Sequence, residues 1–78
     1  MTRLDATAHL VDSRGRACPL PIVDLAQALR SHSRVEVWAD DRAAEADLHA
    51  FCETTRSLLI SLSVDAVIRA VVERHSKK

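Results

Sequence analysis

Hydrophobic and polar residues follow two different periods in the first half of the chain, and each period predicts an element. His9–Asp12 is a short β-prone segment. After Pro21, apolar residues recur at the spacing of one helix face, namely Ile22, Leu25, Ala26 and Leu29. Apolar and polar residues then alternate, as is typical of a strand, with Val35, Val37 and Ala39 on the apolar side. The chain therefore begins in the order β-α-β.

The next part of the chain predicts a second helix and another strand. Asp40 and Asp41 can cap a helix and place negative charge in its first turn. One face of this helix would carry Ala44, Leu48, Phe51, Cys52 and Thr55. The strand-like residues that follow are Leu58, Ile60 and Leu62.

The last segment is ambiguous between helix and strand. Apolar residues from Val64 to His75 fall at helical spacing, which slightly favours a helix, whereas the β-branched content of Val67–Val72 suits a strand. A final strand gives the order β-α-β-α-β-β, a two-layer α/β sandwich with both helices on one face of the sheet. A final helix would leave only three strands.

The length of 78 residues predicts a single domain. We place it at residues 8–75, with residues 1–7 and 76–78 as flexible termini. A domain of this size buries a modest core, so an active site would be shallow or shared with a partner. The chain shows no signal-peptide pattern and no apolar run long enough to span a membrane. We therefore expect a cytoplasmic protein that does not bind membranes.

Charge and aromatic content argue against nucleic-acid binding. Eleven Lys and Arg balance eleven Asp and Glu, so no global field attracts a polyanion. The only aromatic residues of the Phe, Trp and Tyr types are Trp38 and Phe51, which leaves few platforms for base stacking. Trp38 falls on the face of its strand opposite Val37, where exposure on an uncovered side of the sheet would indicate an interface. Direct RNA binding is therefore a disfavoured hypothesis.

Cys18 is the strongest candidate for chemistry because it precedes the first turn of a predicted helix. The helix dipole and unpaired backbone N–H groups there favour a thiolate and lower a thiol's pKa. Arg14 and Arg16 would act in the same direction. The competing interpretation is that Cys18 is a small buried apolar residue, the usual state of a lone cysteine. With no Cys-x-x-Cys spacing, only one-cysteine chemistry remains.

Three neighbouring residues constrain the backbone around this cysteine. Gly15 is the only glycine of the chain, which suggests a turn that requires a positive φ. Pro19 and Pro21 each fix their own φ and are tolerated in a first helical turn. Together they would hold the cysteine at the start of the helix.

Other candidate sites are weaker. His49 and Cys52 have i, i+3 spacing, but a zinc site needs three or four ligands and no third converges, so we expect no metal and assign Cys52 to the core. The segment from Asp40 to Glu53 is strongly acidic. Such a run most often forms a solvated helix face, and the alternative is a docking surface for a basic partner.

The segment from Val11 to Pro21, which ends in Cys-Pro-Leu-Pro, resembles the signature of the TusA/SirA family of small sulfur-carrier proteins. The Asp40-Asp41 pair and the later Phe51-Cys52 are similar to the family's second motif. Length and element order also match, from His9 to about His75. The acidic and Arg-Gly residues before the cysteine make the resemblance more specific than Cys-Pro-x-Pro alone.

The resemblance implies a β-α-β-α-β-β fold with a four-stranded mixed sheet, so Val67–Glu73 becomes a strand. It implies that Cys18 carries a sulfane sulfur as a persulfide, without a cofactor. The local arguments add Arg14 and Arg16 as electrostatic support and Gly15, Pro19 and Pro21 as geometric support. This is a protein-to-protein sulfurtransferase relay rather than turnover of a small molecule. The donor would be a cysteine desulfurase or a rhodanese-like protein. The acceptor would be a protein of tRNA thiolation, sulfur oxidation or molybdenum-cofactor supply.

Two departures from the family pattern bear on partner choice. Arg16 stands where the family commonly carries an apolar residue, and the usual turn glycines before the second strand and in the final hairpin are absent. The alternative hypothesis is a non-catalytic interaction or regulatory module on the same fold.

Overall fold

A computed structural model describes residues 3–75 of the protein. Its four strands and two helices follow in the predicted order β-α-β-α-β-β. The elements are β1 (His9–Asp12), α1 (Leu20–Ala28), β2 (Arg34–Ala39), α2 (Ala44–Thr55), β3 (Leu58–Val64) and β4 (Ile68–Glu73).

The four strands form one mixed sheet in the spatial order β1-β2-β4-β3. β1 runs parallel to β2, with Val11 opposite Val37. β4 runs antiparallel to both of its neighbours, and Val37 lies opposite Ala70. A register shift between Leu59 and Ser61 interrupts the pairing of β3 with β4. The predicted two-layer sandwich with a four-stranded mixed sheet is confirmed.

One hydrophobic core joins both helices to the same face of the sheet. α1 contributes Leu25, the residue that caps its C-terminus is Leu29, and α2 contributes Leu48. The facing sheet residues are Val35, Val37 and Ala39 of β2 and Ile68, Ala70 and Val72 of β4. The apolar face predicted for each helix is therefore the face that packs on the sheet, as the hydrophobic effect requires. Thr55 at the end of α2 was placed on this face and is exposed.

The last segment is a strand, so the slight preference of its residue pattern for a helix is wrong and the family-based strand is confirmed. β4 is a central strand, and Val71 and Val72 are both fully buried although their side chains point to opposite faces. A strand covered on both faces loses the alternation that normally identifies it. Its continuous apolar run is then compatible with both the helical and the strand period.

The face opposite the helices is covered by the chain before β1. Glu36 is 0% exposed there, and its two carboxylate oxygens accept hydrogen bonds from the backbone N–H groups of Leu4 and Asp5, each at 2.8 Å. Arg3 lies 3.9 Å from the same carboxylate and also donates to the carbonyl of Ala8. Residues 3–7 fall within the expected loose terminus, yet these contacts attach them to the sheet. Residues 1–2 and 76–78 lie outside the described residues.

Trp38 is covered on the same face, so the possibility that it is exposed is excluded. Its side chain is 7% exposed, and its indole N–H donates to Glu36 at 2.6 Å. The Arg14 guanidinium lies 5.2 Å from the centre of the indole ring, within the range of a cation–π contact. Neither helix among residues 3–75 is long and apolar enough to cross a membrane.

Candidate functional site

The loop between β1 and α1 is fixed at its first residue, Ser13. Ser13 is fully buried, and its backbone N–H donates to the carbonyl of Trp38 at 2.8 Å. Its hydroxyl donates to the carboxylate of Asp24 in α1 at 2.8 Å. Because these bonds join the loop to both β2 and α1, the loop that carries the candidate cysteine starts from a defined position.

Gly15 adopts the backbone conformation that the sequence suggested. Its φ is +83°, in the region that L-residues with a side chain disfavour. Its backbone N–H donates to the carboxylate of Asp40 at 2.9 Å. The turn at Gly15 thereby connects the loop to the end of β2.

Replacing Gly15 by alanine is expected to lower the free energy of unfolding by about 1 kcal/mol. A Cβ at this position would meet no atom within 4 Å, so the cost comes from the positive φ and not from a clash. Urea denaturation measures it. The matched control is Arg56→Gly at φ 59°, where glycine removes the same kind of strain and is expected to stabilise the protein. A Gly15→Ala protein as stable as the wild type would contradict this explanation.

Cys18 is exposed and lies immediately before Pro19, the N-cap of α1. Its backbone N–H donates to the Asp41 carboxylate at 2.9 Å, and the other oxygen of that carboxylate accepts the N–H of Ala43 at 2.8 Å. These two hydrogen bonds lower the pKa of Asp41. Asp41 therefore joins the cysteine loop to the start of α2. Pro21 is buried in the first turn of α1, as a helix-starting proline should be.

The thiol of Cys18 points at a carboxylate of the second helix. Its Sγ donates a hydrogen bond to Oδ2 of Asp47 at 2.6 Å. This hydrogen bond, the partial loss of solvent around the sulfur and the negative charges of Asp47 and Asp41 together raise the pKa of the exposed Cys18 thiol. The prediction of a lowered thiol pKa is therefore wrong, because the carboxylates beside the sulfur favour the neutral thiol over the thiolate.

Neither predicted arginine faces the sulfur. Arg14 binds Asp12 through two hydrogen bonds of 2.6 and 2.8 Å, and Arg16 forms a 2.8 Å ion pair with Asp24. The pairing raises the pKa of Arg14 and lowers that of Asp12. Both arginines thus hold the loop against β1 and α1 in this structure. That the two arginines support the chemistry of Cys18 stays a prediction. Because both are paired with carboxylates, this support would consist in holding the loop in place rather than in attracting a thiolate.

An open apolar groove of about 320 Å³ begins beside the cysteine. It lies between the two helices, with Pro19 and Ile22 on one wall and Phe51 on the other, and Asp47 lies at its edge. The groove is shallow, as expected for a domain this small. A partner that reaches Cys18 from this side would cover apolar surface as well.

The second cysteine belongs to the core. Cys52 is 6% exposed and lies in the hydrophobic cluster between α2 and the sheet, where burial raises its pKa. The prediction that it is a core residue is confirmed. Among residues 3–75 there is no group of three His, Cys, Asp or Glu side chains that could hold a metal ion.

Sequence reasoning missed the part that Asp47 takes in the site. The acidic run from Asp40 to Glu53 was visible, but its common interpretation is a solvated helix face. Asp47 contacts a residue 29 positions away. No local spacing joins the two, so only the packing of α1 against α2 identifies the pair.

Comparison with known families adds one finding. A family model described as sulfurtransferase TusA matches residues 9–74. The match spans all six elements and includes the whole loop around Cys18. A search of curated proteins finds no match.

Proposed function

This chain belongs to the TusA sulfurtransferase family, and from its general role as a sulfur carrier we propose that the sulfur is held as a persulfide on Cys18. The single observation that carries the proposal is the position of this thiol. It is exposed at the end of a loop fixed by Ser13, Gly15 and Asp41, beside an apolar groove. A protein partner can reach such a thiol without an enclosed pocket.

The transfer step closely resembles thiol–disulfide exchange. The Cys18 thiol loses its proton, and the resulting thiolate attacks the outer sulfur of a donor persulfide. A new sulfur–sulfur bond forms on Cys18 while the donor's sulfur–sulfur bond breaks, and the donor cysteine leaves as a thiolate that takes up a proton. One thiol and one persulfide go in and one of each comes out, so no external oxidant or reductant is needed.

The donor and acceptor are proteins in this proposal. The donor is a cysteine desulfurase or a rhodanese-like protein, and the acceptor passes the sulfur to tRNA thiolation, sulfur oxidation or molybdenum-cofactor supply in the cytoplasm. The reaction needs no cofactor on this chain and no membrane. The zero net charge of the chain supports a protein acceptor rather than direct contact with RNA.

One observation favours the alternative, a non-catalytic interaction module. The raised pKa of Cys18 makes the isolated thiol less reactive than a free cysteine at neutral pH. Slow alkylation alone therefore does not separate the two functions, because a carrier restrained by Asp47 would also react slowly. Sulfur loading separates them.

The test of the proposed function is sulfur loading followed by intact mass. The purified protein is incubated with a cysteine desulfurase and cysteine, with a rhodanese and thiosulfate, or with glutathione persulfide. We expect the mass of one sulfur atom, assigned to the Cys18 peptide and removed by a reductant. If none of the three donors loads Cys18, the interaction-module hypothesis replaces this proposal.

A further inference from the structure

The charges around the Cys18 sulfur are arranged unlike those of an activated cysteine. On α2, the Asp47 carboxylate accepts the thiol hydrogen bond at 2.6 Å. In the loop after β2, the Asp41 carboxylate accepts a hydrogen bond from the backbone N–H of Cys18. The neighbouring Asp40 carboxylate accepts one from the backbone N–H of Gly15. The two arginines of the cysteine's own loop are paired with Asp12 and Asp24. The groups that face Cys18 are therefore carboxylates.

A carboxylate this close acts differently on the two protonation states of the sulfur. A thiol donates a hydrogen bond to the carboxylate and keeps its proton, whereas a thiolate at the same place is repelled by it. Ionisation of the Cys18 thiol therefore removes its hydrogen bond to Asp47 and adds a repulsion between the thiolate and the carboxylate. Asp47 is itself partly buried on α2, so its charge is less screened than that of a fully exposed carboxylate.

We propose that Asp47 is a positioning residue that keeps the sulfur of the empty carrier protonated and turned toward α2, and that this hydrogen bond must open when Cys18 accepts sulfur. The inference rests on the proposed function for the meaning of sulfur uptake, but the hydrogen bond can be tested without a sulfur donor. A persulfide is more acidic than its parent thiol. The loaded carrier would therefore carry an ionised outer sulfur that the Asp47 carboxylate repels toward solvent.

This arrangement gives the two states of the carrier different surfaces. The empty carrier presents a neutral thiol held at the edge of the groove, and the loaded carrier presents a sulfur anion directed away from α2. A donor can thus recognise the first state and an acceptor the second. The restraint also protects the empty carrier from unspecific alkylation and oxidation, which both require the thiolate.

The experiment compares the rate of Cys18 alkylation by iodoacetamide as a function of pH in the wild type and in variants of α2. In this reaction the thiolate forms a sulfur–carbon bond and iodide leaves, so the rate follows the thiolate fraction. The wild type is compared with Asp47→Asn, which keeps the shape and removes the charge. The matched control is Glu53→Gln, which removes one charge at an exposed position of the same helix. Peptide mass analysis separates Cys18 from the buried Cys52.

We expect Asp47→Asn to raise the alkylation rate at neutral pH by about tenfold and to move the whole profile to lower pH. Glu53→Gln is expected to stay within about twofold of the wild type, because a distant exposed charge is screened. A merely structural role of Asp47 would not move the profile. Asp47→Ala is measured as well, so that poor folding of one variant does not decide the result.

Two outcomes overturn the proposal. An Asp47→Asn profile that coincides with the Glu53→Gln profile shows that the carboxylate does not restrain the sulfur. A slower reaction at every pH shows that the carboxylate serves as a base instead. Sulfur loading of the wild type is measured in parallel. Loading without the expected profile shift refutes the role of Asp47 alone, and the shift without loading refutes the proposed function alone.

Discussion

Cys18→Ser is expected to abolish persulfide formation completely, with no added sulfur detectable by intact mass under conditions that load the wild type. A serine hydroxyl can take the place of the thiol in the hydrogen bond to Asp47, and the loop remains fixed by Ser13, Gly15 and Asp41. Oxygen, however, does not ionise at neutral pH and forms no persulfide. The variant therefore removes the chemistry while retaining the fold.

The matched control for this prediction is Cys52→Ala, which removes the other cysteine of the chain. Cys52 is buried in the core, so the variant should lose a little stability and still load sulfur on Cys18. Both variants are checked by circular dichroism and thermal unfolding. If sulfur loading persists in Cys18→Ser, or disappears only in Cys52→Ala, the assignment of the persulfide to Cys18 is wrong.

Glu36→Gln is expected to lower the free energy of unfolding by about 3 kcal/mol at neutral pH. The fully buried carboxylate accepts the backbone N–H groups of Leu4 and Asp5 on separate oxygens, together with the indole N–H of Trp38. An amide keeps only one acceptor oxygen. At least one of these N–H donors would therefore lose its partner, and the charge-assisted character of the others would disappear.

The same residue should give the protein part of its sensitivity to acid. Burial raises the pKa of Glu36, but the hydrogen bonds from Trp38, Leu4 and Asp5 and the charge of Arg3 outweigh it, so the pKa lies below its usual value of 4.5. A lowered pKa in the folded state adds stability that is fully present above pH 4.5 and is lost as the pH falls through the folded-state value. The free energy of unfolding of Glu36→Gln should therefore fall less between neutral and acidic pH than that of the wild type.

Urea denaturation between about pH 7 and about pH 3 measures both effects. The control is Glu53→Gln, which makes the same chemical change on an exposed helix face and is expected to alter stability by about 0.5 kcal/mol or less. A Glu36→Gln protein that matches this control at both pH values would show that the chain before β1 is not held by the Glu36 carboxylate.

The order of elements could be predicted from the sequence because each helix buries one face and because β2 alternates. The predicted apolar helix faces that contain Leu25 and Leu48 pack in the core. β4 was ambiguous for a physical reason. It lies between β2 and β3 and is covered on both faces, so its apolar run has no period that distinguishes a strand from a helix. The family resemblance resolved what the pattern did not.

The covering of the second face of the sheet could not be predicted. Glu36 alternates with Val35 and Val37 and looks like a solvent-facing residue of a half-buried strand. It is buried because the backbone of residues 4 and 5 folds over it and donates to its carboxylate. That contact spans more than thirty positions of sequence. Nothing local to β2 signals it.

The sequence by itself determined the fold class, the candidate cysteine and the glycine turn before it, because hydrophobic period, local motif and backbone preference are properties of neighbouring residues. Only the tertiary structure decided the electrostatics of the site. The nearest arginines in sequence are paired with Asp12 and Asp24, while an aspartate 29 positions away accepts a hydrogen bond from the thiol. Charge acts through space and falls with distance, so the protonation state of Cys18 depends on which side chains folding brings together.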